Sequence, residues 1–209
     1  MHLINSLYMS SSTIQIIGNR VSISWPWYIV RASGFTAAGL LILIMLSGIG
    51  QVTGLTYRLI DPIKAWAIHK ALSYALLAAI IIHGGFLFID HFVSFSFIQL
   101  FIPFLNRYSN KSLVLGLNLN FMAIASGILA MYCIVIIIAT SLKWIDTKKR
   151  IWKNTHYLSY IVFILVFIHA LSSGSDLKYG TFRLAFIASG LLVLLGIASR
   201  LYRAGLMKD

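Results

Sequence analysis

IHKALSYALLAAIIIHG, residues 68–84, decides the fold. The stretch is apolar on every side, is bracketed by His69 and His83, and carries a single charge between them, Lys70. With no polar face to offer water, it reads as a helix surrounded by hydrocarbon. Reading outward, runs of the same kind lie at 28–50, 65–88, 113–142, 155–173 and 183–201. Each is long enough to cross a bilayer, for which about 20 helical residues suffice. Lipid gives backbone groups no partner, and barrel strands would alternate in polarity, so continuous apolar runs must be helices. The sequence therefore predicts an all-α integral membrane helical bundle of about five transmembrane helices.

Composition agrees. Hydrophobic residues make up 59% of the 209 and charged residues 11%, where a soluble domain carries about 25%. Mean hydropathy is +0.88. Residues 1–27 read as a polar arm without the basic start, apolar core and small-residue site of a cleavable signal. Residues 28–202 read as one membrane domain and 203–209 as a short tail. The segment 91–104, HFVSFSFIQLFIPF, is too short to span and ends at Pro103, which suits an amphipathic segment lying in the outer interface. Cys133, the single cysteine, sits within an apolar run and reads as a small packing residue.

Seventeen Lys and Arg oppose five acids, a net charge of +12. The basic residues sit in short loops between spans rather than on one stripe, so the partner they imply is membrane lipid and not nucleic acid. Lys143, Lys148, Lys149, Arg150 and Lys153 crowd the third connection. The positive-inside rule puts that connection in the cytoplasm. Arg58, Lys64, Lys70, Arg200, Arg203 and Lys208 fall on the same side, leaving Arg20, Arg31, Arg107, Lys111, Lys178 and Arg183 outside. The expected topology is multi-pass in the inner (plasma) membrane, with the N-terminus outside and the C-terminus cytoplasmic. Trp25, Trp27 and Tyr28 then anchor the outer face.

Six histidines are present. His2 lies near the terminus and His91 at a membrane boundary. The other four lie inside spans: His69 and His83 in the second, His156 and His169 in the fourth. Both intervals measure about 20 Å along a helix, and both spans run in the same direction. His69 and His156 therefore share an inner level, and His83 and His169 an outer one. Fourteen steps of about 100° return His83 to nearly the face of His69, whereas thirteen leave His169 about 140° from His156, a difference that a kink or local widening must absorb.

Ionisable residues inside spans are costly and usually functional. Two imidazoles at each of two depths are the ligand set for two bis-histidine haem irons, sites suited to electron transfer. Zinc or copper would call for three or four clustered ligands. Interhelical hydrogen bonding or a proton relay remains the alternative. Gly84, Gly85 and Ala170, beside the ligands, leave room for a macrocycle or serve close packing. Arg31, near the outer start of the first span, is a candidate for a haem carboxylate or for snorkelling to headgroups. Lys70 beside His69 poses the same choice at the inner level.

At these residues the chain resembles a ferric reductase-like transmembrane domain, the haem-bearing module shared by ferric reductases, NADPH oxidases and the membrane subunit of bacterial methionine sulfoxide reductase. WYIVRASGF at 27–35, ATSLKW at 139–144 and WKNTHYLSYIVFILVFIHAL at 152–171 are similar to segments of small prokaryotic members, as is the opening stretch. The resemblance implies two haem b in series, carrying electrons from the cytoplasmic side to an outer-face acceptor. It departs from the family in showing five spans where many members have six. Only about eight residues follow the last span, and no GxGxxG fingerprint follows a strand-like segment. The expectation is an electron-transfer subunit of an oxidoreductase rather than a complete enzyme, supplied by a separate flavoprotein or by quinol. The competing expectations are a haem-free membrane carrier or proton pathway using the same histidines, and a structural or assembly subunit.

Overall fold

The computed structural model describes residues 11–90, 93 and 95–206. His2, His91 and parts of the expected arm and tail lie outside these residues. Among them seven α-helices follow in order: α1 Ser11–Val52, α2 Pro62–Leu87, the short α3 Phe97–Phe101, α4 Ala123–Trp144, α5 Lys149–His156, α6 Leu158–Ser173 and α7 Thr181–Leu206. No strand occurs among the described residues. Five stretches are long and apolar enough to cross a membrane: Ser24–Val52, Pro62–Leu87, Asn120–Trp144, Lys149–Ser173 and Thr181–Arg203. The chain is an all-α membrane bundle, as expected.

Local chemistry sets several boundaries. α2 starts where the Asp61 carboxylate accepts from the backbone N–H groups of Ile63 and Lys64, with Pro62 in the first turn. Proline needs no amide partner there, and the carboxylate satisfies two that would otherwise be orphaned. α1 is helical throughout its described length, so positions 11–27 are helix and include Pro26. α4 starts later than the apolar run from 113 implied. Leu115 and Gly116 both take positive φ, and Val114 and Leu117 exchange backbone hydrogen bonds across them. That is a tight reverse turn, and the Asn118 side chain then accepts from the amide of Asn120. Hydrophobicity alone gave no hint of the turn.

The expected fourth span is formed by two consecutive helices. α5 ends at His156 and α6 begins at Leu158, with Tyr157 between them. Tyr157 itself keeps helical φ and ψ. α5 is held to α4 by a hydrogen bond from Trp152 Nε1 to Ser141 Oγ (3.1 Å) and by the Thr155–Thr140 hydroxyl pair (3.2 Å).

α1 packs chiefly on α2, and α4 on α6, while α7 lies against α1. The core fills the middle of the bundle with Leu41, Met45, Leu76, Ile134, Phe163 and Val193 among others. Large side chains such as Leu43, Ile81, Leu184, Leu191 and Leu195 are exposed, as suits helices solvated by lipid. We call the two ends of the bundle the basic end, where the α4–α5 connection lies, and the loop end, where residues 88–122 and 174–180 connect the helices.

At the loop end, segment 106–114 straps onto the end of α6. Asn110 donates from Nδ2 to the carbonyls of Leu171 and Gly174, and Ser112 Oγ donates to Leu171. These bonds satisfy carbonyls at a helix terminus that has no further turn to bond them. α3 carries a Ser96/Gln99 capping box and leaves Phe97, Ile98 and Phe101 exposed, an apolar surface suited to the interface.

Candidate paired-histidine centre

α2 and α6 scarcely touch along their backbones, yet α2 carries His69 and His83, and His156 and His169 lie at the end of α5 and within α6. The side chains meet in two pairs. His83 and His169 face each other at the loop end with ring centroids 6.3 Å apart, and His69 and His156 do so at the basic end with the same 6.3 Å. The sequence-derived levels are therefore both formed as ring-to-ring pairs.

The pairs are held differently. His83 Nδ1 lies 2.9 Å from the carbonyl oxygen of Val30, and His169 Nδ1 lies 2.6 Å from that of Ala123. A carbonyl only accepts, so each Nδ1 carries the proton and Nε2 is left with its lone pair. At the basic end, His69 Nδ1 and His156 Nδ1 are buried without a hydrogen-bond partner in the protein. A cavity of about 770 Å³ opens there, lined by both histidines together with Lys153, Tyr160, Arg200 and Arg203.

Glycines seat three of the four rings. A Cβ on Gly34 would stand 3.1 Å from His83, one on Gly48 3.4 Å from His69, and one on Gly127 only 2.7 Å from His169 Nδ1. Only a residue without a side chain permits the closest of these approaches. His156 instead lies beside the Trp152 ring, centroids 5.5 Å apart.

A family model described as the ferric reductase like transmembrane component matches residues 33–167. The chain belongs to this family. Searches of curated proteins and of solved structures return no match. The matched segment of this ferric reductase-like chain contains His69, His83 and His156, together with Gly34, Gly48 and Gly127; His169 lies just beyond it. Transmembrane domains of the family generally bind haem and work with redox partners.

The residues present fit such a group. Two metal–imidazole bonds of about 2.0 Å drawn from opposite sides of one metal place ring centroids roughly 6 Å apart, as both pairs are. Nδ1 bonds to carbonyls are the customary means of fixing a ligand histidine's tautomer and ring orientation. No cluster of three or more His, Cys, Asp or Glu forms among the described residues, so the ligand-type side chains come as pairs.

Arg31 and Lys70 both have partners within the protein. Arg31 binds the Asp176 carboxylate through both Nε and Nη2, and its guanidinium stacks 4.1 Å over the Trp27 ring. The carboxylate it meets is thus the protein's own. Lys70 turns toward Trp66 and Tyr74 and does not line the cavity. Around Gly84 and Gly85 an added Cβ would meet nothing within 4 Å, so these two do not serve close packing. Sequence reasoning missed Gly34 and Gly48, although their interval of fourteen repeats that of His69 and His83.

Proposed function

We propose that this ferric reductase-like chain is a di-haem b-type electron-transfer protein, in which His69 and His156 would hold the iron of one haem and His83 and His169 that of the other. The observation that carries the reading is the equal 6.3 Å separation of the two histidine pairs at matched depths about 20 Å apart along the spans. A haem bound at each level would supply one-electron chemistry. The chain's part is to fix ligand geometry, exclude water and hold the two sites in series. Val30 and Ala123 carbonyls orient the loop-end imidazoles and raise their basicity. Arg31, next to Val30, fastens α1 to the turn after α6 through Asp176 and so steadies the same level.

In this reading the basic end faces the cytoplasm, because the charge-rich α4–α5 connection and the cations near the end of α7, Arg200 and Arg203, obey the positive-inside rule. Electrons enter there from a separate flavoprotein or a quinol and leave to an acceptor at the outer face. The membrane domain comprises residues 28–202. A reduced-minus-oxidised absorption spectrum of the purified protein, with a pyridine haemochrome assay, tests the reading. It calls for a b-type spectrum and two haems per chain; a preparation expressed with ample haem yet lacking a Soret band overturns it.

One observation favours a second reading. The unpartnered Nδ1 atoms of His69 and His156 beside a cavity also suit a haem-free proton pathway. That reading calls for proton movement in vesicles that is indifferent to haem depletion.

A further inference from the structure

The basic-end cavity carries positive charge that no acid among its described lining residues balances. Arg200 and Arg203, three residues apart and so on one face of α7, line it together with Lys153 from α5. No Asp or Glu is among the residues of its wall. Among the described residues the ion pair found is Arg31–Asp176, at the opposite end. Arg200 is half-buried and held in place, its guanidinium carbon 5.4 Å from the ring centroids of both Tyr157 and Tyr160. A fixed cation bordering hydrocarbon is unfavourable unless an anion meets it. The same wall presents buried polar atoms without protein partners, His69 Nδ1, His156 Nδ1 and Tyr160 Oη. Among the described residues of the wall, cations and unpartnered polar atoms thus occur together without an acid.

We propose that this cavity is a dicarboxylate-binding site, in which Arg200, supported by Arg203 and Lys153 at the rim, binds the two carboxylates of the iron porphyrin whose metal takes His69 and His156. The proposal rests on the di-haem reading above. It assigns the anionic contacts of the basic-end group to α7 and α5 and none to Lys70, the cation adjacent to a ligand in sequence. A guanidinium suits the task because its planar fork matches a carboxylate with two parallel hydrogen bonds. Lipid phosphate offers similar anionic oxygens, so the experiment must separate the two sources.

The full chain, prepared without haem in lipid nanodiscs, is titrated with iron protoporphyrin and, separately, with its dimethyl ester, which lacks the two charges. Soret absorbance and the haemochrome count are the readouts. The parent should bind the diacid at the basic end at least tenfold more tightly than the diester. Arg200→Gln/Arg203→Gln should remove most of that preference while leaving diester binding within about twofold. Arg200→Lys, which keeps the charge and loses the fork, should fall between and guards against a misfolded double variant. In a His156→Ala background the arginine substitutions should cause no further loss of bound haem. Equal preference for the diacid in the parent and the double variant overturns the proposal. So does an arginine effect confined to discs of anionic lipid and absent from neutral ones, which would assign the site to lipid phosphate. Failure of the parent to bind either porphyrin would instead refute the di-haem reading itself.

Discussion

The two ends of the bundle present the same pair of rings at the same separation and complete it in opposite ways. At the loop end the protein closes its own interactions. Backbone carbonyls take both Nδ1 protons, Gly34 and Gly127 receive the rings, and Asp176 neutralises Arg31. At the basic end both Nδ1 atoms lack protein partners, no acid stands among the described residues of the cavity wall, and a large space adjoins both. The difference teaches that one level is organised by the polypeptide in advance, whereas the other is left for its ligand to complete. Preorganisation of this kind ties a ligand site to the stability of the fold around it.

The strongest way to break the contrast is to remove one ligand from each level. His169→Ala and His156→Ala should each lower the haemochrome count from two per chain to one. Only His169→Ala should also destabilise the haem-free protein, by about 1–2 kcal/mol, because only it loses a hydrogen bond to backbone; thermal unfolding in detergent reads this. Equal destabilisation by both would erase the distinction. A smaller effect is expected from crowding. Gly127→Ala should cost about 1–3 kcal/mol and reduce loop-end haem retention, since its methyl would overlap His169. Gly48→Ala, where the approach to His69 is 3.4 Å, should stay within about 0.5 kcal/mol.

Asp176→Asn should sharpen the picture more gently. The Arg31–Asp176 side chains keep 31% and 26% of their exposure, so removing the pair should cost about 1 kcal/mol and less in high salt, as followed by melting at two ionic strengths. Lys70→Gln should change haem content and stability least of all, within about 0.5 kcal/mol, because the lysine points at Trp66 and Tyr74 and away from the cavity.

Most of the fold was legible because lipid imposes a simple code: uninterrupted hydrophobicity over a membrane's thickness. The code fails where an apolar segment does something other than span. Leu113–Leu119 is apolar but turns, and Leu115 at positive φ is an unusual residue for that conformation. The α5–α6 boundary at Tyr157 has no glycine or proline within 152–171 to announce it. Histidine depth was readable because distance along a helix follows from residue count. Partners were not. Arg31 and Asp176 are 145 positions apart, and no local pattern links them. The same holds for Val30 with His83 and Ala123 with His169, where the acceptor is backbone and leaves no mark in residue identity.

The glycines of α1 have a consequence for how this sequence can change. Gly34 and Gly48 meet His83 and His69 because two antiparallel helices count the same fourteen steps between levels. The interval works as a ruler. Inserting or deleting one residue within it would rotate one glycine by about 100° and shift it by about 1.5 Å relative to its ring, so that both seats could not be occupied at once. Between those two marks, α1 is free to exchange one apolar side chain for another but not to change its length.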